Sequence, residues 1–206
     1  ASLPKDNSVP TNTKDVSLVF AERSETKILP LPTKEKLMTL LFNAKSAEDN
    51  PLGTFERIFI ASSSTSTDDI QSAEFFAAIE AKVPATFARS LKGTMMIGLH
   101  TYSKTIPFLM FRTESYEQTF DGMLRWESSM RESLSPFFDL GATTTLALPF
   151  EGAIIQNRDA RVVRNQQGEI IFLYAFPDEK TLVITEHPDT FIEILRRLGS
   201  TKSIGG

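Results

Sequence analysis

The chain has 206 residues, of which 41% are hydrophobic and 23% charged, and it contains 2 histidines and no cysteine. This apolar fraction excludes a disordered chain, and a domain of this length buries roughly 70% of the surface that its unfolded form exposes. The absence of cysteine excludes disulfide bonds, thiolate metal sites and a thiol nucleophile. The net charge of −4 is spread along the chain, which argues against nucleic-acid binding because that function needs clustered lysine and arginine.

The N-terminal region differs in composition from the rest. Residues 1–15 contain two prolines and many polar side chains without periodicity, which predicts a flexible linker. We expect one globular domain over residues 16–199 and a short tail over 200–206. A division of this domain into two similar halves, at about 16–92 and 93–199, remains open because the order of elements hints at a repeat that the residues do not show.

The first half of the chain predicts short strands and helices. Apolar runs predict strands at 16–20 and 27–31, separated by a polar turn at 22–26. Leucines at helical spacing predict a helix over 34–45, with Thr33 as its N-cap. The remaining predicted elements are a strand at 55–61, a hydroxyl-rich loop at 62–67, a helix at 72–81 and a short helix at 84–93.

The second half is richer in β structure. Two β-rich runs, 95–102 and 105–112, predict a hairpin, in which Pro107 indicates a sheet edge or a bulge because it has no N–H to donate. The longest predicted helix follows, over 115–133. The last third predicts strands at 153–156, 161–164, 169–176 and 181–185 joined by short turns, then a helix from Pro188 to Gly199.

These elements come in runs and do not alternate strictly between strand and helix. They favour an α+β fold in which the helices pack on one face of a mostly antiparallel sheet. A hairpin and a three-strand meander are expected in the C-terminal half.

Glu127 is the residue that the sequence marks most clearly as a candidate site residue. At about 100° per residue, it lies about 20° from the centre of an apolar stripe on the predicted helix. A carboxylate there needs a partner, since an uncompensated buried charge costs several kcal/mol. The stripe consists of Tyr116, Phe120, Met123, Met130 and Leu134, and the candidate partners are Arg112, Arg158 and Arg161, with the hydroxyl of Tyr102, Tyr116 or Tyr174 as a further donor.

Two interpretations of Glu127 stay open, a structural ion pair and a general acid or ligand contact, of which the structural pair is the commoner use of a buried charge. The adjacent Trp126 is expected to pack at the sheet margin, with a ligand platform as the alternative. Glu127, Trp126, Arg158 and Arg161 are therefore the candidate ligand-binding residues.

No catalytic motif and no cofactor are expected. The sequence contains no glycine-rich phosphate loop and no nucleophile elbow. We also expect no metal site, because the two histidines, His100 and His187, are far apart and no cysteine is present.

Several segments of the second half resemble uncharacterised bacterial proteins in which one membrane segment precedes an exported domain. The resemblance is carried by residues 107–109, 113–117, 122–127, 157–162, 174–176 and 181–185. It implies an extracytoplasmic, membrane-anchored domain associated with the cell envelope, with the anchor expected before Ala1. It implies no activity and assigns no residue a role.

The leading hypothesis is a non-enzymatic domain that acts through protein–protein contacts or envelope assembly, with an unknown protein partner, no nucleic acid and no membrane contact of its own. A small-molecule or glycan-binding domain that uses the loops 62–67 and 139–152 is the first alternative. A hydrolase that uses Glu127 or a histidine is the second. An exposed apolar patch would favour the first hypothesis, and a deep polar pocket would favour the others.

Overall fold

The computed structural model describes residues 17–47, 51–135, 137–138, 140 and 147–203. Within them the chain forms eight strands and five helices. In chain order these are β1 (Arg23–Ile28), α1 (Lys34–Lys45), β2 (Phe55–Ala61), α2 (Ser72–Ala78), α3 (Ala85–Arg89), β3 (Leu91–Thr101), β4 (Thr105–Thr113), α4 (Tyr116–Leu134), β5 (Glu151–Ile155), β6 (Arg158–Arg164), β7 (Ile170–Asp178), β8 (Thr181–Thr185) and α5 (Pro188–Ser203). The predicted linker at 1–15 lies outside the described residues.

All eight strands join one sheet in the order β1-β2-β3-β4-β8-β7-β6-β5. β1 and β2 run parallel, and every other neighbouring pair is antiparallel. The strands β5 to β8 follow one another as a meander, because short turns join antiparallel neighbours. The predicted α+β class, the hairpin β3–β4 and the C-terminal meander are confirmed.

The sheet carries a hydrophobic core on each face. Alternation along β3 places Ile97 in one core and Met96 in the other. The helices α1 to α4 cover the first core, whereas α5 inserts Phe191 and Ile194 into the second. Four of the five described helices therefore share the face that we predicted, and α5 covers the opposite one. α5 also continues through Gly199, where we expected it to end.

The prediction for residues 16–31 is wrong in detail. The segment 22–26, predicted as a turn, lies largely within β1, which pairs in parallel with β2 at one edge of the sheet. Leu18 and Val19 are buried but not in a strand, and they belong to the core under α5. Polar side chains are tolerated in β1 because an edge strand exposes them to water, and this context overrides β propensity.

Pro107 was expected at an edge or a bulge, but it lies in β4, an interior strand, opposite Leu99 of β3. The pairing of β4 with β8 begins one residue later, at Phe108. The hydroxyl of Thr185 donates to the Pro107 carbonyl oxygen at 3.0 Å. The missing N–H of Pro107 is tolerated because the ladder with β8 has already ended there.

Candidate functional site

Helix α4 supplies one side of the candidate site. Its N-cap is Ser115, whose hydroxyl accepts from the backbone N–H of Gln118, as expected for a helix start. Its fully buried residues centre on Met123, Trp126 and Met130, which face the core shared with α1 to α3. Glu127 follows this row by one residue and therefore lies at its border, above β6 and β7.

Glu127 is bound by two residues of the sheet. Arg161 of β6 donates from Nε to Oε1 at 2.7 Å and from Nη2 to Oε2 at 2.9 Å. The hydroxyl of Tyr174, on β7, donates to Oε1 at 2.8 Å. Arg161 also donates to the carbonyl oxygen of Phe150, just before β5, at 3.3 Å. This bidentate, charge-assisted arrangement ties α4 to three strands or strand ends at once.

The environment of these groups accounts for their ionisation. The hydrogen bond to Glu127 raises the pKa of Arg161, so its guanidinium remains charged. Burial, and secondarily the Glu127 carboxylate, raises the pKa of the Tyr174 hydroxyl. The side chains of Arg161 and Glu127 are 26% and 17% exposed, so the pair lies at the margin of the core. With both carboxylate oxygens engaged, the geometry matches the structural interpretation of Glu127 better than a proton-transfer role.

The sequence placed the centre of the apolar stripe wrongly. Tyr116 and Phe120, which helped define it, lie at the margin, and Tyr116 is 37% exposed. The stripe is rotated towards Trp126, so Glu127 lies at its edge. Trp126 is fully buried between the rings of Phe76 and Phe87, at centroid distances of 5.5 and 5.2 Å. The expectation that it packs at the sheet margin is wrong, and as a buried core residue it offers no surface to a ligand.

The four candidate residues do not come together. Arg161, one of the three arginines proposed as partners of Glu127, is in contact with it. Arg158 is exposed, and the alternation of β6 places it on the face opposite to Arg161. Arg112, the third candidate partner, donates instead to the hydroxyl of Thr181 at 3.0 Å.

A groove of about 250 Å³ opens beside the Glu127–Arg161–Tyr174 cluster, on the α4 face of the sheet. Aromatic rings from α4 and β7 form one wall, and the β5–β6 hairpin forms the other. The walls consist of Tyr116, Phe120 and Phe176 on one side and Gly152, Ile154 and Asp159 on the other, with Arg161 and Tyr174 also lining the groove. It is largely apolar, with the guanidinium and the phenol as its polar groups.

Strand β5 forms the open border of this groove and the last strand of the sheet. Its side chain Ile154 is 75% exposed, compared with 51% for Ile28 of the other edge strand, β1. Gln156 and Asn157 form the turn to β6, with φ values of 49° and 58°. This is the two-residue turn that closes a hairpin on a hydrogen-bonded pair, here Ile155 and Arg158.

The sequence did not predict a second cluster, around Arg197 of α5. The Arg197 side chain is 5% exposed, and its guanidinium donates to Glu22 at 2.8 Å and to Glu193 at 2.6 Å. It also lies 3.9 Å from the ring centroid of Phe55. This cluster joins the N-terminal segment to the last helix.

The hydroxyl-rich loop at 62–67 borders another groove, of about 490 Å³, near the ends of β1 and β2. At its base the Asp69 carboxylate accepts from Arg57 at 3.1 Å and from the backbone N–H groups of Ile60 and Ile70 at 2.8 and 2.9 Å. Burial raises the pKa of Asp69. These bonds hold the backbone of the loop. Part of the other predicted loop, 139–152, lies outside the described residues.

Compared with known proteins, the chain matches no family model, no curated protein and no solved structure. Within the described ranges, no group of acidic or histidine side chains could hold a metal ion. Among the helices that the structure describes, none combines the length and the hydropathy needed to cross a bilayer.

Proposed function

We propose that this chain is a protein-binding domain that adds an extended segment of a partner to the exposed edge of β5. The observation that carries the proposal is this edge itself, which ends the sheet beside an apolar groove and exposes 75% of Ile154. Strand addition of this kind obtains affinity from main-chain hydrogen bonds and specificity from side-chain pockets next to the edge.

The contrast between the two edges of the sheet supports this proposal. At the opposite edge, β1 carries Arg23, Glu25 and Lys27, and charged side chains on an edge strand discourage further pairing. β5 has the sequence Glu-Gly-Ala-Ile-Ile, and its pairing with β6 is regular, without a bulge. β5 therefore carries one charged side chain, Glu151, and exposes Ile154, whereas β1 carries three charged side chains.

The groove supports a role in selecting the bound segment. A side chain that projects from an added strand on the α4 face would enter the space between Ile154 and the ring of Tyr116 or Phe120. A volume of about 250 Å³ admits one aliphatic side chain better than an extended ligand. The Glu127–Arg161–Tyr174 cluster holds β6, β7 and α4 at a fixed spacing, and in this proposal it positions the groove without binding the partner directly.

The resemblance adds a location to the proposal. In this view the domain works outside the cytoplasm as part of a membrane-anchored protein, and its partners belong to the envelope. Fractionation of cells that produce the protein with a C-terminal tag, followed by protease treatment of spheroplasts with an intact cytoplasmic membrane, tests this location. A tag that resists protease in spheroplasts and is cut only after their lysis contradicts it.

Peptide selection tests the binding function. Short random peptides displayed on phage are selected on the immobilised chain, and bound peptides are mapped by hydrogen exchange. We expect slowed exchange at the amides of Gly152 and Ile154. Ile154→Lys should weaken binding at least tenfold, because it puts a charge at the edge of the groove. Leu52→Lys is the matched control, since Leu52 is 78% exposed and lies in the loop before β2.

Two results contradict the proposal. One is a selection that enriches no peptide over the Ile154→Lys variant. The other is a set of binders whose protection maps to the loop 62–67 or to the Arg197 cluster, and binding at 62–67 would favour the small-molecule or glycan alternative.

A further inference from the structure

The structure also points to the identity of the added strand: we propose that it is β5 of a second copy of this chain, so that two copies form a symmetric dimer through antiparallel β5–β5 pairing. This inference rests on the proposed function, because it uses the same edge and the same groove. It goes further in naming the partner and the register.

The hairpin turn decides which backbone groups of β5 are available. Ile155, Ala153 and Glu151 pair with Arg158, Ala160 and Val162 of β6. Because the turn closes on a hydrogen-bonded pair and such pairs alternate, these three residues direct their N–H and C=O groups towards β6. The N–H and C=O groups of Gly152 and Ile154 point away from the sheet, where no described strand pairs with them.

These outward groups define a self-complementary register. When two β5 strands pair antiparallel around Ala153, Gly152 of one copy lies opposite Ile154 of the other, and the reverse. Both pairs are then hydrogen-bonded pairs, so the two residues of each copy that expose backbone groups all find partners. Four main-chain hydrogen bonds result, since each such pair exchanges two.

The side chains fit this register as well. Gly152 has no side chain, and a Cβ built there meets nothing within 4 Å. Gly152 and Ile154 lie on the same face of β5, the one that borders the groove. The Ile154 side chain of the second copy therefore occupies the space above Gly152, next to Arg161 and the aromatic wall. The exposed isoleucine and the open space are two residues apart on one strand, which is the spacing that a twofold axis at Ala153 requires.

The other simple registers are poorer. Pairing centred on Gly152 sets glycine against glycine and leaves Ile154 facing Phe150, outside the strand. Pairing centred on Ile154 sets Gly152 against Gln156, which is in the turn. In the Ala153-centred register Glu151 lies opposite Ile155, so no like charges oppose each other directly.

The expected dimer is weak. Pairing of two five-residue strands buries less surface than the roughly 1,200 Å² that marks a stable interface. We therefore expect a dissociation constant in the high-micromolar range, with a mass that rises from 23.0 kDa towards twice that value as concentration increases. Sedimentation equilibrium from low micromolar to millimolar concentration measures this rise.

Cysteine scanning tests the register. Because the chain has no native cysteine, the introduced cysteine is the only thiol that can form a disulfide. At the proposed axis, the two Ala153 residues form a non-hydrogen-bonded pair with Cα atoms about 4.5 Å apart. This separation falls within the roughly 4.4–6.8 Å range of disulfides. Under mild oxidation, Ala153→Cys should form a disulfide dimer at least tenfold faster than Gly152→Cys, Ile154→Cys or the control Leu52→Cys.

The outcomes separate this inference from the proposed function. Concentration-dependent dimerisation that Ile154→Lys removes and Leu52→Lys leaves intact, with fastest cross-linking at position 153, supports the inference. A chain that stays monomeric at millimolar concentration, or that cross-links fastest at 152 or 154, overturns it. If that monomer still binds selected peptides in an Ile154-dependent way, the proposed function stands without a second copy as the partner. If it binds none, both proposals fail.

Discussion

Replacement of Glu127 by glutamine is the sharpest test of how the site is held together. The substitution keeps the size of the side chain but removes its charge and one of its two acceptor oxygens. Its amide NH₂ then faces an Arg161 N–H in either orientation, and in one of them it also faces the Tyr174 hydroxyl. If the cluster is structural, the variant should fold less stably but keep any binding at β5.

The magnitude follows from the three hydrogen bonds to the carboxylate, at 2.7, 2.9 and 2.8 Å. A hydrogen bond to a charged group contributes about 1.5–3 kcal/mol, and loss of one partner adds the penalty of the group left behind. Arg161 and Glu127 are 26% and 17% exposed, so water replaces part of what is lost. We therefore expect the free energy of unfolding to fall by about 2 kcal/mol, which lowers Tm by about 4–8 °C for a domain of this size.

Urea unfolding followed by tryptophan fluorescence measures this change, because Trp126 is the sole tryptophan and is fully buried. Asp121→Asn is the matched control on the same helix: it breaks an ion pair with Arg125 whose side chains are 67% and 53% exposed, and it should change stability little. Tyr174→Phe should destabilise the wild type more than it destabilises Glu127→Gln. The reasoning is refuted if Glu127→Gln unfolds at the same urea concentration as Asp121→Asn.

Three further predictions concern the rest of the fold. Arg197→Ala should cost about 3 kcal/mol in urea unfolding because it removes a buried ion-pair partner, whereas Arg196→Ala, at a side chain 65% exposed, should cost little. Hydrogen bonds from Arg196 and Arg197 lower the pKa of Glu193 from 4.5 to about 2. The ionised Glu193 therefore stabilises the fold above pH 4.5, and this contribution is lost as the pH falls towards 2. The difference in unfolding free energy between wild type and Glu193→Gln should shrink over that range, and a difference that is constant with pH contradicts this. Gly122→Ala should destabilise the fold by about 1–3 kcal/mol, because the new Cβ would lie 2.6 Å from the Cβ of Phe87 in α3. Gly199→Ala has nothing within 4 Å of its new Cβ and should stabilise the fold by up to about 1 kcal/mol in the same assay.

The sequence predicted the contact at Glu127 because a local pattern carried it. A carboxylate beside an apolar helical stripe needs a cation, and only a few arginines lay in segments that could reach it. Arg161 and the hydroxyl of Tyr174 were among the candidates, and both bind Glu127. The choice between Arg158 and Arg161 was beyond a sequence argument, since it depends on which face of β6 meets α4.

The helical wheel placed the stripe too far towards Tyr116 and Phe120. A wheel weighs every apolar residue equally, but aromatic residues near a helix start can cover the sheet margin while remaining partly exposed. The predicted position of Trp126, the sole tryptophan, was wrong for the same reason. Trp126 lies in the middle of the core because Phe76 and Phe87, from α2 and α3, close over it, and the sequence does not show that these short helices meet α4.

The edge strands and the Arg197 cluster show a different limit. The first five residues of β1 are polar, so a propensity argument predicts a turn at 22–26, and only the pairing with β2 makes this segment a strand. Arg197 and Glu22 are 175 positions apart in the chain, and no local pattern links them. The open edge of β5 likewise depends on the sheet order, which places this strand last.

The charged side chains of β1 bear on how far such an assembly could grow. Once two copies have joined through β5, each end of the merged sheet presents Arg23, Glu25 and Lys27, and these disfavour the docking of another molecule. The contact is also isologous, which closes on itself and offers no repeating surface. A dimer formed in this way would therefore stop at two copies and would not grow into fibres, which are the usual hazard of an open sheet edge.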